Sequence, residues 1–305
     1  MKERLWRPGR PISLADQLWP LRRGTGDPTW ASAPDGAIWR TTRTPDGPGL
    51  ERLTVDPAAA AVVAQAWGPG ADWLLERLPR LLGSLDTIEG FEPPEQLAQV
   101  YRHHRGWRVG RTERVMESLI AAILEQKVTG IQAWRAWRWA IAGFGEPAPS
   151  VAGAPPGLRV FPEPDAWRSI PSWRWHELGV EAKRSATIVR VAALAGRLEE
   201  CVGLDFGAAH SRLRRIPGVG VWTAQEVAQR ALGDPDAVSY QDYHLAGEVV
   251  YLMTGQRDGT DAQMARLLLP YAGHRYRIQR LVELRGRILP RRGPKMTINE
   301  DLRRF

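Results

Sequence analysis

The sequence predicts an α+β fold, in which a small N-terminal antiparallel β/α unit precedes a mostly α-helical unit. Turns rich in proline, aspartate and glycine alternate with short strand-like runs in the first 100 residues. Helical periodicity dominates from about residue 110 onward. A chain of 305 residues is long enough for about two domains. The predicted boundaries are 1–105, 106–290 and a basic tail at 291–305.

The N-terminal unit is predicted to contain a β-hairpin followed by two helices. Residues 37–43 and 50–55 have strand character and flank a proline- and glycine-rich turn at 45–49. Asp56 and Pro57 are expected to cap an alanine-rich helix, and a second helix is expected from Ala71 to Leu82. Packing and scaffold support are the roles expected for this unit.

The second unit is predicted to consist of helices joined by short connections. The periodicity predicts helices at 112–126, 130–143, 182–199, 207–214, 222–232, 242–254, 261–271 and 274–286. Residues 145–165, rich in proline, glycine and alanine, are expected to form an exposed connection. Trp134, Trp137 and Trp139 are interpreted as the core face of the second of these helices. The alternative is that, interleaved with Arg135 and Arg138, they form a surface for nucleic acid.

Composition narrows the class of protein. The formal charge of +8 and the isoelectric point near 10.1 suit a polyanionic partner. A single cysteine, Cys201, excludes an intramolecular disulfide and a four-cysteine metal centre. The sequence shows no signal peptide and no apolar run of membrane length, so we expect a cytoplasmic protein without a membrane partner.

The most informative segment is a turn, Pro217-Gly218-Val219-Gly220, between two helix patterns. Glycine permits a positive φ and leaves the main-chain amide uncovered. A helix that begins just after such a turn presents unpaired N–H groups and the positive end of its dipole, which together bind phosphate. The alternative is an ordinary tight turn between packed helices, which a short motif of this kind favours when it stands alone.

The wider context favours the phosphate site. Leu213 to Ala224 fits the pattern Leu-x-x-apolar-Pro-Gly-apolar-Gly-x-x-Thr-Ala, and Asp242 follows at a characteristic spacing. The segment resembles the helix-hairpin-helix DNA glycosylase superfamily. Residues 111–129 and 178–186 look like two further helices of that superfamily. The resemblance covers about residues 105–290 and is strongest to the bacterial 3-methyladenine DNA glycosylase II family.

The resemblance implies a partner and a set of contacts. The expected partner is double-stranded DNA that carries damaged bases, bound by a monomer. The residues that it places against DNA are Pro217, Gly218, Val219, Gly220, Thr223, Gln126 and Lys127. The family also binds a monovalent cation, Na⁺ or K⁺, through carbonyl oxygens that correspond to those of Arg214, Ile216 and Val219. No other cofactor is expected. The apolar residue that fills the gap left by a flipped nucleotide coincides with Lys127 here, so the identity of that residue stays open.

Asp242 is the candidate catalytic residue. Cleavage of an N-glycosidic bond builds positive charge on the deoxyribose, and a fixed carboxylate stabilises that charge or accepts a proton from water. A position at a helix N-terminus favours the negative charge. The alternative is that Ser239-x-x-Asp242 is an ordinary helix cap. The hairpin at the family spacing favours catalysis.

Three more residues are expected around the damaged base. Strand-cleaving members of the family carry a lysine where this chain has Trp222, and tryptophan forms no Schiff base, so an enzyme without lyase activity is predicted. Trp222 and Tyr243 would provide aromatic walls for a flipped, cationic base; the alternative for both is core packing. A pocket tyrosine of the family falls at Glu226, which either lines the pocket or lies on a helix surface.

These observations predict a monofunctional DNA glycosylase of base excision repair. Its predicted substrates are alkylated purines of the 3-methyladenine and 7-methylguanine type, flipped out of duplex DNA. One alternative is a glycosylase for oxidised or deaminated bases. Another is a non-catalytic helix-hairpin-helix protein that binds DNA, although the presence of Asp242 at the family spacing counts against it.

Overall fold

The N-terminal unit is built on one antiparallel sheet of five strands. The computed structural model describes residues 1–289, so the predicted tail at 291–305 lies outside the described residues. The strands are β1 (Lys2–Trp6), β2 (Trp30–Ser32), β3 (Ile38–Thr44), β4 (Gly47–Asp56) and β5 (Ala61–Trp67). Their order across the sheet is β1-β5-β4-β3-β2. The predicted hairpin is confirmed: Thr44 pairs with Gly47 across a two-residue turn.

The predicted alanine-rich helix after Asp56 is wrong. The segment forms β5, which pairs with both β1 and β4. Val62, Ala64 and Ala66 are buried while the residues between them are half-buried, which is the period of two of a strand. Two neighbouring strands and a buried face outweigh the helical propensity of alanine. Asp56 caps only a turn, because its Oδ1 accepts a hydrogen bond from the Ala59 N–H at 3.0 Å.

Two helices cover one face of the sheet, α1 (Leu14–Leu18) and α2 (Ala71–Leu81). Leu74, Leu78 and Leu81 of α2 share one side of the helix and pack in the same apolar cluster as Leu53 of β4. The side chain of Arg77 is completely buried on α2 and contacts Glu51 at 2.7 Å.

The second unit is mostly helical, as predicted. Helix α3 (Ala98–His103) lies before the predicted boundary at 105. The helices after that boundary are α4 (Val115–Glu125), α5 (Gly130–Phe144), α6 (Pro164–Arg168), α7 (Ser172–Glu177), α8 (Ala182–Ala193), α9 (Ala195–Glu199), α10 (Phe206–Arg214), α11 (Val221–Val227), α12 (Leu245–Thr254), α13 (Asp261–Leu267) and α14 (Arg275–Arg285). The short helices α3, α6 and α7 were not predicted. Among residues 1–289, no helix is long and apolar enough to cross a membrane.

Three predicted helices are interrupted. The 182–199 helix breaks at Leu194 into α8 and α9, and the 222–232 helix continues after α11 as a π-helical turn over Ala228–Leu232. The 261–271 helix ends at Leu267, and a 3-10 turn follows over Leu269–Tyr271. Pro270 lies in that turn, and proline has no N–H with which to continue an α-helix.

The core of the second unit forms around α4. Leu119, Ile120 and Ile123 are fully buried and share one apolar cluster with residues of α5, α8 and α11. Of the three tryptophans predicted to face this core, only Trp137 does so. Trp134 and Trp139 remain 37% and 43% exposed, so the core interpretation is wrong for them.

The connection at 145–165 is more ordered than predicted. It contains a two-stranded sheet of β6 (Glu146–Pro147) and β7 (Arg159–Val160), and Val160 and Phe161 are buried. The Arg159 N–H donates a hydrogen bond to the Pro28 carbonyl at 2.7 Å. The connection therefore packs partly against the N-terminal unit.

Candidate active site

The two glycines of the hairpin have different requirements. Gly218 has a φ of +97°, and a Cβ at this position would lie 2.2 Å from Oγ1 of Thr187 on α8. Gly220 has a φ of −89°, and a Cβ there would meet nothing within 4 Å. Gly218 is therefore needed for the turn and its packing, while Gly220 leaves the start of α11 open to an approaching ligand.

Side chains from neighbouring elements hold the hairpin in place. Gln126, just after α4, donates from Nε2 to the Gly218 carbonyl at 3.0 Å and to Thr223 Oγ1 at 2.8 Å. Arg190 of α8 donates to the Pro217 carbonyl at 3.0 Å. Thr223 is only 2% exposed, and its hydroxyl supports the hairpin from within by accepting the hydrogen bond from Gln126.

Lys127 follows Gln126 and lies in the short turn between α4 and α5. Its side chain is exposed, and its φ of +53° lies in the left-handed region that few non-glycine residues adopt. Thr129 and Gln132 form a capping box that begins α5 immediately afterwards. The turn thus presents a positive charge beside the hairpin that Gln126 contacts.

Asp242 lies in the irregular segment 233–244, before α12, which we call the Asp242 loop. Its Oδ1 accepts hydrogen bonds from the N–H groups of His244 at 2.8 Å and Leu245 at 2.9 Å. Oδ1 thus holds two N–H groups at the start of α12, but Ser239 takes no part in a cap with Asp242, because its hydroxyl donates to Glu226. Both hydrogen bonds that the side chain accepts from the described residues end on this one oxygen.

Asp242 lines an open groove of about 380 Å³. The groove runs between the start of α12, the loop before α13 and the segment after α14; its charged lining residues include Glu248, Arg257, Asp261 and Arg287. Tyr243 also lines the groove, is 86% exposed, and meets the His244 ring edge-on at 4.7 Å between centroids. Core packing is therefore wrong for Tyr243. Trp222 is half-buried in the first turn of α11 and is not among the residues that line this groove.

Glu226 does not lie on the helix surface, which was one of the two positions considered from the sequence. It is 6% exposed, so it is not a surface residue, and it is not among the residues that line the groove at Asp242. Its Oε1 accepts from Ser239 Oγ at 2.6 Å, and its Oε2 pairs with Arg230 at 2.6 Å. Burial raises the pKa of Glu226, and the positive charge of Arg230 opposes that rise. No feature of the local sequence pattern predicted the contact with Ser239.

The carbonyl oxygens that correspond to the family's cation site lie around the hairpin. The Ile216 carbonyl accepts a hydrogen bond from the Val219 N–H at 2.9 Å. No main-chain hydrogen bond from the described residues outside the regular helices and strands ends on the carbonyls of Arg214 and Val219. Within residues 1–289, no group of three or more histidine, cysteine, aspartate or glutamate side chains is arranged to hold a metal ion.

Solved structures establish the class of fold. The chain aligns with the "3-methyladenine dna-glycosylase from Archaeoglobus fulgidus" at a TM-score of 0.74 and 18% identity, covering 92% of this chain and 98% of the other. It aligns with MBOgg1 in complex with a low-affinity DNA ligand at 0.70 and 14% identity, covering 93% and 98%. The chain therefore has the fold of the helix-hairpin-helix DNA glycosylases, and the predicted fold class is confirmed.

Sequence relatives indicate which DNA glycosylases the chain resembles. No family model matches the chain. It is 32% identical over 220 residues to the "Probable bifunctional transcriptional activator/DNA repair enzyme AlkA" of Mycobacterium tuberculosis, over 69% of this chain and 43% of the relative. It is 25% identical over 174 residues to the DNA-3-methyladenine glycosylase of Bacillus subtilis, over 56% of each. The chain thus spans about half the length of the curated relatives it matches. Its resemblance to the helix-hairpin-helix DNA glycosylases, and most to the 3-methyladenine enzymes, is confirmed.

Proposed function

We propose that this chain is a DNA glycosylase of base excision repair, which hydrolyses the N-glycosidic bond of alkylated purines flipped out of duplex DNA. We also propose that it leaves an abasic site without cutting the strand. The observation that carries the proposal is the position of Asp242. Asp242 is one of the residues that line an open groove, and the hydrogen bonds of its side chain within the described residues use only one of its two carboxylate oxygens.

The proposed chemistry follows from that arrangement. As the bond between C1′ and the base nitrogen breaks, its electron pair leaves with the base and positive charge develops on the sugar. Two main-chain N–H groups hold Oδ1 of Asp242 in place, so the carboxylate does not have to reorganise as this charge appears. Oδ2 then faces the developing charge or accepts a proton from the water that attacks C1′.

The absence of lyase chemistry rests on Trp222 and on the scarcity of lysine. An amine must attack C1′ to form the Schiff base that precedes strand cleavage, and the indole of Trp222 provides none. Lys127 is exposed beside the hairpin, where we assign it to phosphate contact. In this proposal the open start of α11 after Gly220 and the formal charge of +8 hold the DNA backbone. A Na⁺ or K⁺ ion on the carbonyls of Arg214, Ile216 and Val219 would add positive charge at the hairpin.

Tyr243 is the residue that we assign to the flipped base. Its ring is exposed next to Asp242, so one face is available for stacking. An alkylated purine carries positive charge, and a cation over an aromatic face gains about 0.5–2 kcal/mol. Trp222 would contribute a second aromatic surface from the start of α11. Glu226 has no direct contact with the base in this proposal.

The test is base release from a panel of duplexes that carry 3-methyladenine, 7-methylguanine, hypoxanthine or 8-oxoguanine. We expect free alkylated purine, and strand breaks only after alkali. Asp242→Asn should abolish release while DNA affinity is kept. The matched control is Asp205→Asn, because Asp205 caps α10 through the Ala208 N–H at 2.8 Å and has no proposed chemical role.

Each other outcome identifies a different function. Unchanged release by Asp242→Asn would remove Asp242 from the mechanism. Release of hypoxanthine or 8-oxoguanine alone would favour the glycosylase for deaminated or oxidised bases. The second of these bases is the one named for the Clostridium acetobutylicum glycosylase/lyase, which this chain matches at a TM-score of 0.66 and 12% identity. Tight DNA binding without any release would indicate a non-catalytic DNA-binding protein.

A further inference from the structure

Ser239 anchors the Asp242 loop through a side-chain hydroxyl whose donor and acceptor sites are all used. It is 2% exposed, and its hydroxyl donates to Glu226 Oε1 at 2.6 Å. The same oxygen accepts from Gln229 Nε2 at 2.9 Å and from Gln279 Nε2 at 3.0 Å. A hydroxyl has one donor and two acceptor sites, so the hydrogen-bonding capacity of Ser239 is complete. This saturation fixes where Ser239 can lie.

The main chain transmits that position to Asp242. The Asp242 N–H donates to the Ser239 carbonyl at 3.2 Å, which closes a short turn between the two residues. The Ser239 N–H donates to Gln279 Oε1 at 2.9 Å, and Gln229 Nε2 also donates to the Ala237 carbonyl at 2.9 Å. Just before Asp242, the loop is thus attached to α14 through Gln279 and to the π-helical turn through Gln229.

Glu226 connects this anchor to the rest of the molecule. It lies on α11, the helix that begins at the hairpin, and its other oxygen pairs with Arg230 at 2.6 Å. Arg230 also donates from Nε to the Pro20 carbonyl of the N-terminal unit at 3.0 Å. Charge-assisted bonds of this length are about twice as strong as neutral ones. One buried carboxylate therefore joins the hairpin helix, the N-terminal unit and the Asp242 loop.

We infer that Glu226 and Ser239 are positioning residues, which set the distance between the DNA-binding hairpin and the carboxylate of Asp242. The inference rests on the proposed function, because it assigns the bond a role in base release. It also gives the N-terminal unit a specific duty, since the Pro20 carbonyl orients Arg230. A misplacement of about 1 Å at a reacting centre costs up to about 100-fold in rate.

Ser239→Ala is the decisive variant, because it removes one oxygen and leaves the Glu226–Arg230 pair intact. Its matched control is Ser185→Ala, which removes another largely buried hydroxyl (9% exposed, against 2% for Ser239) that donates to the Ala182 carbonyl within α8. The measurements are the single-turnover rate of base release at saturating enzyme, on duplex DNA that carries 7-methylguanine, and the Kd for the same duplex. We expect the Ser239→Ala rate to fall at least about tenfold with little change in Kd. Ser185→Ala should match the wild type in both.

Glu226→Met adds a second test through a double-mutant cycle. If Glu226 positions the loop through Ser239, its substitution should cost little further rate once the Ser239 hydroxyl is gone. Glu226→Met is also expected to lose stability, because the Arg230 charge would be left buried without its partner. If the Glu226→Met variant does not fold, Ser239→Ala still tests the inference.

The outcomes separate this inference from the proposed function. A wild type that releases no base from any duplex of the panel refutes the proposed function. With an active wild type, a Ser239→Ala rate equal to that of Ser185→Ala overturns the positioning role alone. A parallel loss of rate and affinity in Ser239→Ala, or additive rate effects in the cycle, also overturns it, because either result indicates general structural damage.

Discussion

Gly218→Ala should destabilise the protein by about 2–6 kcal/mol. Two costs contribute, and the structure separates them. A non-glycine residue held at a φ of +97° costs about 1–3 kcal/mol in backbone strain. The added Cβ would also lie 2.2 Å from Oγ1 and 2.9 Å from Cγ2 of Thr187, and overpacking of this kind costs about 1–3 kcal/mol.

Gly220→Ala is the matched control for this substitution. The same methyl group is added two residues away, at a φ of −89° that alanine adopts without strain, into open space. We expect its free energy of unfolding to lie within about 0.5 kcal/mol of the wild type. The difference in unfolding free energy between Gly218→Ala and Gly220→Ala therefore reports only the effects of the turn geometry and of the contact with Thr187.

Introducing Gly218→Ala together with Thr187→Ala separates the strain cost from the overpacking cost. Thr187→Ala deletes Oγ1 and Cγ2 and leaves only the Thr187 Cβ, 3.1 Å from the new methyl group. In this background the penalty should shrink by the overpacking part, and a strain penalty of about 1–3 kcal/mol should remain. Urea unfolding of the four single and double variants supplies the free energies. Equal stability of Gly218→Ala and Gly220→Ala would refute this account of the hairpin.

Three further predictions concern the hairpin, a partly buried glutamate and the charge of the protein. Gln126→Ala removes two hydrogen bonds to the hairpin, so we expect a loss of about 1–3 kcal/mol and weaker DNA binding; unchanged unfolding and unchanged fluorescence anisotropy with a duplex would contradict this. Burial raises the pKa of Glu117, against the pull of nearby arginines, and its Oε2 has no hydrogen-bond partner within residues 1–289. A raised carboxyl pKa stabilises the fold below the ordinary glutamate value, and this stability is lost as pH rises through the folded value. Glu117→Gln should therefore be more stable than the wild type at pH 7. The part of this difference that is due to charge should shrink as pH falls through the raised folded pKa of Glu117 and should be lost below about 4.3, the ordinary glutamate value; urea midpoints at pH 7 and below about 4.3 measure it. The Kd for undamaged duplex DNA should rise with salt, and log Kd should increase linearly with the logarithm of the salt concentration. A Kd that does not change with salt would contradict the proposed contacts with DNA phosphates.

The parts of the fold that sequence predicted are those with a strong local pattern. α4, α5 and α10 begin and end within three residues of their predicted limits because each carries a buried apolar face. β5 was assigned wrongly because its alanines favour a helix locally. Only its pairing with the neighbouring β4 and with β1, which lies far from it in sequence, makes it a strand. Long-range pairing of this kind leaves little trace in a window of a few residues.

The same distinction applies to the candidate site. The hairpin and Asp242 could be identified because glycine geometry and helix starts are local properties. The partners of Glu226 could not, because Ser239 is 13 residues away and Gln279 is 40 residues from Ser239. A glutamate four residues before an arginine on a helix is usually a solvent-exposed pair. Here the Glu226–Arg230 pair is buried against the Asp242 loop, which depends on tertiary packing.

The capping and catalytic interpretations of Asp242 turn out to be compatible. A carboxylate has two oxygens, and the start of α12 engages one of them through two N–H groups. This cap holds the side chain rigid, and a rigid carboxylate is what electrostatic stabilisation of a short-lived sugar cation requires. Asparagine caps helices about as well as aspartate but carries no charge. Asp242→Asn therefore keeps the cap and removes the charge, whereas alanine would remove both, so only the asparagine variant tests the chemistry separately from the fold.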